Sequence, residues 1–270
     1  MKFFVEGTEY HYTITGEGEP LLLLHGFTGD GSTWDQLESS LKNDFQIIKI
    51  DLIGHGKTSS PEDVSKYTMD SVTNHIALFM DHLHIEQAHI LGYSMGGRLA
   101  LGFAIAYPHK VVSLMLESAS PGLRTAEERK KRMESDRQLA KRIVSMGIEA
   151  FIDDWENIPL FETQKALATS VQQRIREQRL QNHPLGLSNS LLGMGTGRQS
   201  SYWAHLNQLH IPVLLICGEW DVKFCQIAKD MEHALPNAEK VVVKNAGHAI
   251  HVEKPSKFGT IIKEFLFYIR

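Results

Sequence analysis

Cysteine is almost missing from this chain: Cys217 and Cys225 are the two in 270 residues. That excludes a disulfide framework, and their spacing matches no common zinc-ligand pattern. Both are read as reduced thiols, Cys217 as a buried one in an apolar run. Long hydrophobic runs are lacking too. No stretch approaches the roughly 20 apolar residues that span a bilayer, and Met1 to Tyr10 lacks the apolar h-region of a secretory signal. Membrane insertion is therefore not expected, and a cytoplasmic location is. Excess charge of one sign is also absent. A net charge of -4 and a pI near 6.4 leave no broad basic face to displace phosphate counterions, so nucleic acid is not an expected partner. Fourteen histidines include no H-E-x-x-H, and neither a metal nor an organic cofactor is expected. The glycine-rich Gly193-Met194-Gly195-Thr196-Gly197 follows no strand and lacks phosphate-loop spacing, which makes it a flexible turn.

What is present is an ordinary globular composition, 42% apolar and 22% charged, in a length that accommodates one α/β core with one insertion. Alternation in Lys2 to Glu6 and Glu9 to Thr15, broken near Gly7 and Gly16, predicts an opening hairpin. Four short apolar runs follow, Leu21 to Leu24, Gln46 to Ile50, His89 to Leu91 and Val111 to Leu116, separated by segments of helical period. That rhythm predicts βαβ units and a parallel sheet covered on both faces. It stops at Pro121-Gly122, where charge-dense helical sequence takes over. It resumes with a strand at Val213 to Cys217, a helix around Phe224 to Leu235, a strand at Lys240 to Val243 and a closing helix from Pro255. The expected organisation is thus a core of residues 1–120 and 206–270, interrupted by a helical cap, 121–205, inserted after the sixth strand of a mostly parallel eight-stranded sheet.

Gly92-Tyr93-Ser94-Met95-Gly96 fits G-x-S-x-G in a strand, sharp turn, helix setting, with small residues from Gly97 to Ala106 on the helix that leaves it. The glycines let the backbone turn tightly enough to raise the Ser94 hydroxyl above the sheet at a helix N-terminus. An acid and a histidine should follow, in that order, beyond later strands. Asp221 comes after the Val213 to Cys217 strand and His248 after the Lys240 to Val243 strand. In this pattern His248 takes a proton from Ser94 while Asp221 orients the imidazole. His25-Gly26-Phe27 follows the Leu21 to Leu24 strand, so the Phe27 and Met95 amides are the expected oxyanion donors. His25 then holds the loop and is not a catalyst.

These strings resemble the α/β-hydrolase family over essentially the whole chain. That fold hosts esterases, peptidases, dehalogenases, carbon-carbon hydrolases and lyases, so the fold alone does not name the reaction. Nine of the eleven arginines lie between Arg124 and Arg198, in the cap. Interleaving of Arg129, Arg132 and Arg137 with Glu127, Glu128, Glu134 and Asp136 fits solvated helix faces. Arg98 is different: it sits one turn beyond Ser94, where a cation opposes the positive helix end and calls for an anion, either an internal carboxylate or a bound substrate.

A narrower resemblance is carried by Gly92-Tyr93-Ser94-Met95-Gly96-Gly97-Arg98, Ser120-Pro121-Gly122-Leu123, Trp155 with Pro159-Leu160-Phe161, Asp221-Val222-Lys223-Phe224 and Gly247-His248-Ala249-Ile250-His251. Together they look like the bacterial 2-succinyl-6-hydroxy-2,4-cyclohexadiene-1-carboxylate synthases, pyruvate-eliminating lyases of menaquinone biosynthesis. The resemblance implies a small polycarboxylate substrate, Tyr93 and Arg98 in contact with it beside the serine, Arg132 and Arg179 meeting its carboxylates, and Trp155 lining the pocket. Some members carry glutamine and arginine where this chain has Arg124 and Leu192; the roles of those two positions, and of Lys223, stay open. The rival readings are a serine carboxylesterase or carbon-carbon hydrolase acting on a small anionic substrate, and a receptor that has kept the fold without catalysis.

Overall fold

The computed structural model describes residues 1–269. Eight strands, β1 (Lys2–Val5), β2 (Thr8–Thr15), β3 (Glu19–Leu24), β4 (Phe45–Ile50), β5 (Ala88–Tyr93), β6 (Val111–Glu117), β7 (Val213–Gly218) and β8 (Ala238–Val243), form one sheet in the order β1-β2-β4-β3-β5-β6-β7-β8. The opening hairpin pairs antiparallel, β2 joins β4 antiparallel, and all later neighbours are parallel. The helices in chain order are α1 (Asp35–Leu41), α2 (Met69–His82), α3 (Met95–Ala106), α4 (Ala126–Met146), α5 (Ile148–Trp155), α6 (Thr169–Leu180), α7 (Pro184–Met194), α8 (Val222–Ala234), α9 (Ile250–Glu253) and α10 (Pro255–Tyr268).

The Leu21 to Leu24 run explains why both faces are covered. Successive strand side chains point to opposite faces. Leu22 and Leu24 join the apolar cluster beneath α2, α3 and α8, while Leu21 and Leu23 join the one beneath α1 and α10. Each fully buried leucine contributes about 1.5–3 kcal/mol through burial. A parallel sheet places all its strand ends along one edge, and β3, β5, β7 and β8 deliver the loops at residues 25–27, 94, 221 and 248 to that edge.

Between β6 and β7 the described elements are helical. Helix α4 opens with a reciprocal cap, in which the Glu128 amide donates to Thr125 Oγ1 at 3.1 Å and the Thr125 amide to Glu128 Oε2 at 2.8 Å; such a box contributes about 1 kcal/mol. Ala140, Ile143, Phe151, Ile152, Leu187 and Leu191 give these helices a small apolar centre, against which Phe27 of the core and Leu192 are packed. Helix α6 and the turn that follows it are pinned to the core loops. Gln178 Nε2 donates to Asp30 Oδ1 and Ser32 Oγ, each at 2.8 Å, and Asn182 Nδ2 donates to the Thr28 carbonyl at 2.8 Å. The Gly193 to Gly197 segment differs from the flexible turn expected of it: Gly193, Gly195 and Gly197 are buried. A Cβ on Gly197 would lie 2.5 Å from the Met133 amide nitrogen, so glycine serves close packing against α4 there.

Candidate active site

Ser94 sits between β5 and α3 with φ +50° and ψ -104°, a strained turn conformation for a residue with a side chain. Two glycines permit it by letting backbones touch. A Cβ on Gly92 would lie 2.4 Å from the Gly96 carbonyl oxygen, and one on Gly96 would lie 2.2 Å from that of Leu24. The Ser94 amide donates to the Glu117 carbonyl at 2.9 Å, fixing the turn to β6.

The three residues expected to meet do so. Ser94 Oγ lies 3.0 Å from His248 Nε2, and His248 Nδ1 lies 2.6 Å from Asp221 Oδ2. Asp221 is also the N-cap of α8, its Oδ1 accepting from the Phe224 amide at 3.3 Å. The His248 loop passes through Asn245 at φ +54°, a conformation that asparagine tolerates well. It is held by Glu253, whose Oε2 accepts from the Gly247 amide at 2.7 Å while Oε1 accepts from Thr163 Oγ1 at 2.8 Å. Thr163 belongs to the segment between β6 and β7, so that segment braces the loop carrying the histidine.

The Phe27 and Met95 amides donate to no protein acceptor among the described residues. The reason differs between them. Met95 opens α3, where the first amides have no partner within the helix. The Phe27 amide shares its peptide with the Gly26 carbonyl. His25 Nδ1 is 2.8 Å from that carbonyl oxygen, and His25 Nε2 accepts from the Leu52 amide at 2.9 Å. These bonds fix the neutral tautomer carrying its proton on Nδ1. Burial pushes the His25 ring below its ordinary range, which keeps it neutral. In a trans peptide the two dipoles point oppositely, so holding the Gly26 oxygen aims the Phe27 N–H the other way.

Above Ser94 is a cavity of about 650 Å³. Phe27, Tyr93, Met95, Arg98, Arg132, Trp155, Lys223 and His248 all line it, as does Arg124. Arg98 is buried, and an internal carboxylate does not hold it: its Nη1 donates to the Met194 carbonyl at 2.9 Å and to Gln199 Oε1 at 2.7 Å. Burial first, then the nearby Arg132, lower its pKa to about 10 against the opposing pull of the Asp136 carboxylate, which acts without a direct ion pair, and the guanidinium stays charged at neutral pH. Arg132 is half-committed, its Nε donating to Asp136 Oδ1 at 2.7 Å. Arg179 departs from the simplest expectation, because it does not line the main cavity. It is buried beside it in a cavity of about 60 Å³ shared with Phe27, Tyr93 and Phe161. Its guanidinium lies 4.6 Å over the Phe161 ring and donates to Gln164 Oε1 at 3.2 Å. Burial lowers its pKa, and no carboxylate pairs with it among the described residues. Tyr93 lines both cavities, and burial raises its phenol well above the ordinary range.

Other residues here received no role from the sequence, although Phe161, Phe224 and His251 stand in the strings that carry the narrower resemblance. Phe161 and Phe224 flank His248 with ring centroids 6.5 and 4.7 Å away. Glu117, fully buried, accepts from the His251 amide at 3.0 Å and faces His251 Nδ1 at 2.8 Å. His251 in turn packs edge-on against Tyr93 at 4.6 Å. For Glu117 the only signal is a glutamate ending an apolar strand, and it gains meaning when β6 and α9 meet. Among the described residues no cluster of three or more His, Cys, Asp or Glu side chains is placed to hold a metal ion.

Residues 19–255 match the family model for the alpha/beta hydrolase fold. A Bacillus subtilis (strain 168) protein bearing the provisional name 2-succinyl-6-hydroxy-2,4-cyclohexadiene-1-carboxylate synthase is 46% identical, over 94% of this chain and 94% of its own. The chain belongs to that synthase family within the α/β-hydrolase fold. An Enterobacter sp. (strain 638) protein named for the same synthase is 30% identical over 93% of this chain and 95% of its own. The structure of MenH from S. aureus superposes with a TM-score of 0.92 at 35% identity, covering 96% of this chain and 98% of that one. Family membership thus agrees with the narrower resemblance in the elbow, Trp155 and His248 segments.

Proposed function

We propose that this protein is a carbon-oxygen lyase of menaquinone biosynthesis. It eliminates pyruvate from 2-succinyl-5-enolpyruvyl-6-hydroxy-3-cyclohexene-1-carboxylate to give 2-succinyl-6-hydroxy-2,4-cyclohexadiene-1-carboxylate. The observation that carries the reading is a charged, buried Arg98 whose hydrogen bonds among the described residues go to neutral oxygens, one turn from a serine hydrogen-bonded to an imidazole. A cavity for neutral esters gains nothing from a desolvated guanidinium, whereas a substrate carboxylate returns the lost solvation through charge-assisted bonds.

In the proposed mechanism His248, oriented by Asp221, takes the Ser94 hydroxyl proton, and Ser94 Oγ removes the ring proton at C2, next to the succinyl ketone. Negative charge develops on the ketone oxygen, where the Phe27 and Met95 amides receive it; two such donors lower the barrier by several kcal/mol, about 3 each. Collapse of the enolate shifts the C3–C4 double bond and breaks the C5–O bond. The departing enolate of pyruvate takes up a proton, so the two products balance the substrate. No acyl-enzyme forms. Residues 121–205 act as the cap over this site, core residues 1–120 and 206–270 carry the reacting groups, and Tyr93, Arg98, Arg132, Trp155 and Arg179 position the substrate.

The same triad could acylate on an anionic ester, so the deciding assay offers both chemistries. Purified protein is supplied with the enolpyruvyl precursor, and pyruvate is followed by a coupled dehydrogenase, in parallel with short-chain and malonyl-type esters. Pyruvate release at rates far above ester turnover is expected. Ready ester hydrolysis with no pyruvate would overturn the lyase assignment. No helix among the described residues is long and apolar enough to cross a membrane.

A further inference from the structure

The cavity carries cationic side chains at two levels, interleaved with Glu128, Asp136 and Asp230. Arg98 lies buried at its floor, whereas Arg124 and Lys223 are exposed at its rim. The Arg124 guanidinium rests 3.6 Å over the Trp203 ring, so its plane is preset by stacking. Among the described residues its one ion pair is a long one, Nη2 to Asp230 Oδ2 at 3.4 Å, with Glu128 acting on it at longer range. Asp230 does not depend on it, because Asp230 Oδ1 accepts from Gln226 Nε2 at 2.8 Å. Arg124 can therefore leave Asp230 for another carboxylate at little cost. Lys223, which lines the same cavity, forms no hydrogen bond or ion pair with the described residues, its Nζ lying 5.6 Å over the Phe224 ring.

We propose that Arg124 and Lys223 form a carboxylate subsite at the rim, which receives the enolpyruvyl group and releases it as pyruvate. The inference rests on the lyase reading, and the ring chemistry fixes its direction. The proton leaves from C2 and the ether breaks at C5, on opposite corners of a six-membered ring. With C2 over Ser94, the ring carboxylate at C1 and the succinyl chain at C2 stay near the floor arginines, while the C5 substituent points away from the floor to the opening. A third carboxylate at that end meets Arg124 and Lys223. The product retains the two inner carboxylates and has lost the outer one. Rim contacts therefore discriminate between substrate and product, and their solvent exposure lets the leaving group escape.

The test compares precursor and product binding by calorimetry in a Ser94→Ala background, adding Arg124→Ala, Arg124→Lys or Lys223→Met, with the exposed Arg137→Ala as control. Arg124→Ala and Lys223→Met should each weaken the precursor about threefold to tenfold, the range of one exposed charge-assisted contact. Product affinity should change less than twofold, and Arg124→Lys should keep most of the precursor affinity. Equal weakening of precursor and product, or no change in either, would overturn the subsite. Pyruvate release by the unmodified protein reads the reaction separately: its absence sinks the lyase assignment, while the binding difference still judges the rim.

Discussion

The core and the segment between β6 and β7 reach one cavity by different physics. On the core side the groups are fixed by backbone: Ser94 by two glycine contacts, the Phe27 amide by a locked peptide, Asp221 by a helix N-terminus and His248 by a loop tied to Glu253. On the other side long cationic side chains are aimed by soft partners, Arg132 by a half-exposed ion pair, Arg124 by an indole and, just beside the cavity, Arg179 by a ring face. Chemistry that needs angstrom placement of a proton acceptor is served by the first kind of support. On the proposed function, recognition of a mobile polycarboxylate would fall to the second, because long side chains can follow charge. The comparison predicts that core changes alter kcat and changes on the other side alter KM.

The sharpest test is Ser94→Ala, which should reduce pyruvate release by about 10⁴-fold or more, as removal of a nucleophile or base within a triad does, with thermal stability unchanged. Residual activity above about one per cent would break the contrast at its strongest point. Next comes His251→Ala, which strands the fully buried Glu117 carboxylate beside Tyr93. Breaking a buried pair costs about 3–5 kcal/mol, and a urea midpoint lowered by less than about 1 kcal/mol equivalent would mean the pair is not a support of the elbow.

Arg98→Ala should lower kcat/KM about 100-fold, the loss of a desolvated charge-assisted contact, whereas Arg137→Ala, an exposed partner of Glu134, should stay within about twofold. Equal effects would remove the reason for separating floor from surface arginines. The smallest effect is a pH dependence set behind the oxyanion loop. Burial first, and then His25 at a ring distance of 5.2 Å, push the His55 imidazole down to about 3. Above its ordinary value of 6.5 both folded and unfolded forms are neutral, and His55 adds nothing to the pH dependence. Below 6.5 the unfolded chain binds a proton that the folded one refuses, so stability falls as pH falls from 6.5 towards 3. Urea midpoints of His55→Gln should decline less between pH 6.5 and 4.5 than those of the parent; identical slopes would refute the assignment.

Much of this site is legible in the chain because it obeys local rules. A G-x-S-x-G between an apolar strand and a small-residue helix specifies its own turn, and strand rhythm predicts where Asp221 and His248 emerge. The Arg98 position follows from helical period. Its partners do not, since Met194 and Gln199 lie about a hundred positions away and offer neutral oxygens in place of the expected anion. Glu117 with His251, and Thr163 with Glu253, are likewise pairings between segments that carry no mutual pattern. The glycine tract at 193–197 reads as flexible by composition, and packing against α4 gives it the opposite meaning.

The sequence by itself determined the sheet, the interruption after its sixth strand and the three residues at its loop ends, because periodicity, turn chemistry and parallel topology act over a few residues at a time. Only the tertiary structure decided which arginine meets neutral oxygens inside the cavity, which sits beside it and which waits at its rim. Desolvation and partner choice depend on what the whole fold brings alongside each side chain.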